Sequence, residues 1–201
     1  MPNNQYHFVD PDHIYTDPNT NVLKNLVNAT DSGTLRLIES GAVTKRLAEL
    51  QANPIQIKDS STLLNIHKHL FQDVYSWAGE KRTVEISKEG TSFFPLSHFN
   101  TAFHSIDTLI QAYRKIDKDD KSRLTHKLAE ILDHINHLHP FREGNGRAQR
   151  EFLRLLAMEK GLSLNLNPPD NADVYERYMT GTINGDVQQL ATLISDIATV
   201  F

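Results

Sequence analysis

Residues 139–150, His-Pro-Phe-Arg-Glu-Gly-Asn-Gly-Arg-Ala-Gln-Arg, place a histidine, one acid, two glycines and three arginines in a single short stretch. Gly144 and Gly146 lack a Cβ, so their backbone N–H groups can approach an anion closely. The stretch also leads into a helix start, where leftover N–H groups and the helix dipole favour phosphate. Glu143, its only acid, stands beside this cradle and can hold a Mg²⁺ ion that neutralises phosphate oxygens. Arg147 and Arg150, three apart on the first turn of the following helix, share a face from which two guanidinium forks can clamp phosphate. Positive charge there opposes the helix dipole and so asks for an anion. His139 opens the stretch, and its near-neutral pKa suits it to take a proton from an attacking hydroxyl. No Gly-Lys-Ser/Thr follows the glycines, and no dinucleotide fingerprint occurs elsewhere.

Two helices must position this loop. Leu124, Leu128, Ile131, Ile135 and Leu138 recur at helical spacing, and Pro140 ends that helix at the histidine. Phe152, Leu155 and Leu156 open a second stripe, closed by Gly161. Leu63, Leu64, Ile66, His67, Leu70, Phe71 and Val74 give a further helix ending near Trp77-Ala78-Gly79, and Phe103, Ile106, Leu109, Ile110 and Tyr113 another. Residues 31–51 fit one bent helix or two short ones, with Gly41 as an interruption, and two more helices are expected over 173–182 and 186–200. Thr83 to Ser87 alternates and is β-branched, Lys88-Glu89-Gly90 is turn-like and Thr91 to Phe94 is extended, which reads as a hairpin over 83–94. Asp10-Pro11 and Asp17-Pro18 mark residues 1–30 as an irregular arm. The fold class is all-α, a helical bundle with one small β-hairpin, and the 201 residues form a single domain.

The loop resembles the Fic signature, His-Pro-Phe-x-(Asp/Glu)-Gly-Asn-Gly-Arg-x-x-Arg, at every defined position. The run from Leu70 to Arg82 is similar to the segment that precedes the family's flap. The resemblance implies a Fic fold and transfer of AMP from ATP to a Ser, Thr or Tyr hydroxyl of a target protein, with release of pyrophosphate. It assigns His139 as base, Glu143 as Mg²⁺ ligand, Gly144, Asn145, Gly146 and Arg147 as phosphate binders, and Arg150 as the γ-phosphate clamp. The target's backbone would dock along the hairpin at Val84, Glu85, Ile86 and Ser87 by strand addition. Tyr175 or Tyr178 is a candidate wall for the adenine.

The family's self-inhibiting helix, (Ser/Thr)-x-x-x-Glu-(Gly/Asn), has no match: Glu precedes Gly or Asn only at Glu89-Gly90 and Glu143-Gly144, four residues after Glu85 and His139. The resemblance then implies a separate small antitoxin supplying an inhibitory glutamate in trans, or a chain lacking its regulatory part. Antitoxin-restrained members act in the bacterial cytoplasm; secreted effectors act in a host cell. The arm, with Tyr15, Pro18 and Leu23-Lys24-Asn25, resembles the effector group, so localisation is bacterial cytoplasm, or host cell for an effector fragment.

Other function classes fit less well. A net charge of −4 lacks the basic surplus of a nucleic-acid binder. Zero cysteines exclude thiolate chemistry, and no apolar run approaches a membrane span. His134, His137 and His139 do not share a helical face, against a zinc site. Phosphorylation, UMP or phosphocholine transfer by the same loop is the alternative chemistry. The family's Doc-type kinases carry a lysine and lack the second glycine, so Gly146 favours AMP. A non-catalytic binding module is the remaining alternative.

Overall fold

The computed structural model of the protein describes residues 6–8, 10, 12–88 and 91–201. Seven α-helices occur among them: α1 Ser32–Ala52, α2 Thr62–Phe71, α3 Phe99–Arg114, α4 Lys121–Leu138, α5 Asn145–Met158, α6 Ala172–Asn184 and α7 Val187–Ile197. A sheet in the order β1-β2-β3 joins Tyr6–Phe8, Ile86–Lys88 and Thr91–Ser92, and a second pairs β4, Leu162–Ser163, with β5, Thr199–Val200.

α4 forms the axis. Asp120 caps its start by accepting from the Arg123 N–H at 3.1 Å, satisfying one donor that the helical ladder leaves over. Its stripe of Leu124, Leu128, Ile131, Ile135 and Leu138 is buried against α3, α5 and α7. Burying each such side chain contributes roughly 1.5–3 kcal/mol, far more than the helix propensities of these residues. α2 packs against α5 and α1, which brings the interior of α2 up to the loop between α4 and α5.

Residues 31–51 take the single-helix alternative, and several other bounds are revised. α1 is one continuous helix; a Cβ at Gly41 would meet nothing within 4 Å, so the glycine is no packing break. α2 stops at Phe71, and the segment down to Gly79 is a series of turns, closed by a left-handed glycine at φ +84°. α7 ends at Ile197 because the chain extends at Ala198 and pairs as β5 with the segment after α5. The arm is not wholly irregular: Tyr6–Phe8 adds a strand to the hairpin, in the register His7 opposite Ser87, and Thr16 bridges Leu23.

The hairpin itself is shorter than 83–94. β2 and β3 pair Ser87 with Ser92 and Lys88 with Thr91, while Thr83 to Glu85 form no ladder. The Val84 carbonyl and the Glu85 carboxylate are instead taken by Arg82. Glu89 and Gly90 of the expected turn lie outside the described residues.

Candidate active site

His139 caps α4 in a left-handed conformation, φ 45° and ψ 62°, which turns the chain sharply before Pro140. Its own N–H still closes the last turn on the Ile135 carbonyl at 3.1 Å. The ring Nδ1 lies 3.0 Å from the Asn136 carbonyl oxygen. A carbonyl only accepts, so Nδ1 carries a proton; in the neutral imidazole Nε2 then holds the lone pair, the form a general base requires. The Phe93 ring stacks on the imidazole at 3.7 Å between centroids, which fixes its plane.

The loop after Pro140 is held from inside. The Asn145 side chain accepts from the Phe141 N–H at 2.9 Å and donates to the Phe141 carbonyl at 2.7 Å, closing the turn on itself. Its side chain is therefore consumed in shaping the loop, and a phosphate contact from this residue falls to its backbone. Gly144 has φ +81°, and a Cβ there would lie 2.3 Å from Phe71 Cζ. The N–H groups of Asn145 and Gly146 open α5 and are left over by its ladder, as anion binding at a helix start requires.

His67, on α2, supports the loop from beneath. Its Nδ1 accepts from the Gly79 N–H at 2.9 Å, so Nε2 bears the proton and donates to the Glu143 carbonyl at 3.0 Å. Its ring lies between Phe141, at 3.7 Å, and Phe71, at 4.6 Å. Burial, with the nearby Arg147 charge adding to it, holds the His67 pKa down to about 3. An unfolded histidine titrates near 6.5, so below that pH the unfolded chain binds a proton that the folded chain refuses. Stability from this group is thus intact above pH 6.5 and is lost as pH falls toward 3. Urea unfolding is expected to show about 2 kcal/mol lost between pH 6.5 and 5 on this account, at about 1.36 kcal/mol per pH unit. His67→Gln should flatten that slope; an unchanged slope would mean that His67 is not the neutral, buried group described.

The two helix-start arginines diverge. Arg147 pairs with Glu39 of α1 at 2.6 Å and Glu143 at 3.6 Å and lies over the Phe71 ring. Glu39 also accepts from the Tyr75 hydroxyl, whose pKa is pushed upward by burial and then by the carboxylate, so it remains a donor. Arg150 instead lies over the rings of Tyr175 and Tyr178, 5.5 and 5.4 Å from their centroids. No carboxylate among the described residues pairs with it. Tyr175 thereby lies beside Arg150. Glu143 folds back to accept from the Gly144 N–H at 2.9 Å.

At the hairpin and its entry, Val84 and Ile86 are buried, Glu85 accepts from Arg82 and from the Leu96 N–H, and Ser87 is paired on both sides by β1 and β3. Glu39, His67, Arg82 and Phe93 are the supporting residues that the motif itself does not name. Glu39 had a signal, since it shares the buried face of Leu35 and Val43 at spacings of four.

The Fic/DOC family model matches residues 58–157, which contain both helices and the loop. A relative from Sinorhizobium fredii, named "Probable protein adenylyltransferase y4lH", is 32% identical over 181 residues, covering 88% of this chain and 91% of its own. The chain belongs to the Fic/DOC family. The Bartonella schoenbuchensis protein adenylyltransferase VbhT is 36% identical over 152 residues, 75% of this chain but 32% of VbhT, so the chain spans about a third of that relative's length. Among solved structures, the BepC effector of Bartonella tribocorum, determined with AMPPNP bound, superimposes with a TM-score of 0.83 over 94% of this chain and 98% of its own. At 21% identity that likeness bears on the fold, a mostly helical Fic domain with a small sheet. The Fic string at 139–150 is thus carried in a Fic fold. Among the described residues no helix is long and apolar enough to cross a membrane.

Proposed function

We propose that the protein transfers AMP from ATP to a hydroxyl side chain of a target protein. One observation carries this reading: His139 has its Nδ1 proton committed to Asn136, at the head of a glycine loop that opens a helix start toward anions. The names of the relatives, both protein adenylyltransferases, support it.

On this reading the residues act as follows. Nε2 of His139 takes the proton of the target hydroxyl as its oxygen bonds to the α-phosphorus. The bond from that phosphorus to the bridging oxygen of the β-phosphate breaks, and pyrophosphate leaves with the electron pair. The opening N–H groups of α5 offset the charge on the phosphate oxygens. Arg150, which has no carboxylate partner among the described residues, would hold the γ-phosphate. The residues fit a Mg²⁺ ion of the kind held mainly by substrate: Glu143 offers one carboxylate, and no group of three or more acids or histidines is assembled among the described residues. Bound there by Glu143, the ion would neutralise phosphate charge.

On this reading the target docks at the hairpin. β2 has β1 on its outer edge, so a target strand pairs with β2 once β1 leaves, or with the outer edge of β1. An open Arg150 also fits restraint by a separate small protein carrying a glutamate.

Product analysis tests the reaction class: with a competent target, pyrophosphate should accumulate and ADP should not, whereas ADP would make the enzyme a kinase. Arg150→Ala is expected to raise the KM for ATP roughly 10–100-fold, since hydrogen bonds to a charged group contribute about 1.5–3 kcal/mol. An unchanged KM in steady-state assays would remove Arg150 from the nucleotide site.

A further inference from the structure

We infer that Arg82 is a positioning residue that ties the flap to the catalytic histidine, making target docking and base placement one mechanical unit. The inference rests on the AMP-transfer reading.

Arg82 is 2% exposed, and its guanidinium donates to three separate segments. Nε reaches the His139 carbonyl at 2.9 Å, Nη1 the Val84 carbonyl at 2.8 Å, and Nη2 the Phe94 carbonyl at 2.6 Å. These are the end of α4, the entry to the hairpin and its exit. The Arg82 backbone N–H adds a bond to the Pro140 carbonyl at 2.7 Å, so one residue fixes two successive peptide planes beside the base. Its only carboxylate partner among the described residues, Glu85, directly precedes the hairpin strand β2, and the face of the guanidinium packs on the Phe99 ring.

A planar fork is the side chain that can do this. Its donors are held at fixed angles, so three carbonyls bound to it are fixed relative to one another, whereas a lysine ammonium is a single point with rotatable donors. Two features of His139 need that restraint. Its backbone is left-handed, a conformation that costs a residue with a Cβ unless the surroundings enforce it. Its ring is held by Phe93, next to the Phe94 carbonyl that Arg82 grips. Phe94 is also tied back by its own N–H to the His137 carbonyl at 3.0 Å. A shift of the hairpin is thereby felt at the histidine from both its backbone and its ring. Among the described residues Arg82 makes no hydrogen bond or ion pair to the start of α5, so nucleotide binding is expected to be independent of it.

Arg82→Lys keeps the charge and loses the fork. The expected result is a fall in single-turnover AMP transfer of at least ~30-fold, on the scale of the roughly 100-fold cost of a 1 Å misplacement. The ATP dissociation constant should stay within about threefold, and amide exchange should rise about tenfold or more in peptides covering 83–95 and 137–142 but not in 145–158. Transfer within threefold of the wild type would overturn the inference. So would a loss of transfer matched by equal loss of ATP binding and uniform exchange, the mark of a merely structural role. Wild-type protein that transfers no AMP would sink the functional reading alone, because the exchange pattern still decides whether Arg82 couples the two segments. If Arg82→Lys does not fold, Glu85→Gln, at a side chain 61% exposed, takes its place. It should loosen the same two segments and slow transfer about threefold or more, and no change in either would overturn the inference.

Discussion

His139→Asn is expected to lower AMP transfer by roughly 10²–10⁴-fold, the contribution typical of a positioned general base, while leaving ATP affinity nearly unchanged. Asparagine is the informative substitution because the residue sits at φ 45°. Asn tolerates left-handed backbone better than Ala does, so the variant removes the base without asking the α4 terminus to rearrange. His139→Ala mixes loss of the base with a shift of the loop. Comparing the two by kinetics and calorimetry separates the effects: both should lose turnover, and only the alanine variant should also bind ATP more weakly. Retention of more than a tenth of the activity by His139→Asn would show that another group takes the proton.

Gly144→Ala should be the most damaging single-atom change in the loop. The residue has φ +81°, where a Cβ costs about 1–2 kcal/mol, and the added carbon would lie 2.3 and 2.5 Å from two atoms of the Phe71 ring. Phe71 cannot step aside easily, being fully buried beside His67, with the Arg147 guanidinium over its ring. Strain of this kind typically adds about 1–3 kcal/mol, so the total is roughly 2–5 kcal/mol. A melting temperature lower by roughly 5–15 °C is expected, with loss of ATP binding because the start of α5 is re-aimed. A variant that melts and binds ATP like the wild type would show that the close approach of loop and ring is not needed.

How much of this was legible in the sequence varies with the range of the interaction. The α4 stripe, the stop at Pro140 and the glycine-opened start of α5 are local effects, and each appears where the residue types place it. The string 139–150 likewise carries the Fic signature in residue types alone. What was not legible depends on partners far along the chain. Nothing near Arg82 says that its fork will reach His139 and Phe94, and nothing near Tyr6 says that it will face Lys88. The partners that Arg147 and Asn145 take in the fold were not legible either, one distant and one local. Spacing put the two arginines on one face, but Glu39, more than a hundred residues earlier, draws Arg147 away from Arg150, and Phe141 draws in the Asn145 amide. Strand ends such as β5 are set by a neighbour's free edge, which periodicity along one segment does not reveal.

The most direct test incubates the purified chain and His139→Asn side by side with Mg²⁺ and bacterial or eukaryotic lysate, using ATP labelled at the α- or the γ-phosphate. The account predicts a discrete protein band labelled from the α position only, absent with His139→Asn. Protein labelled from the γ position, or α-label that persists in the variant, would contradict it.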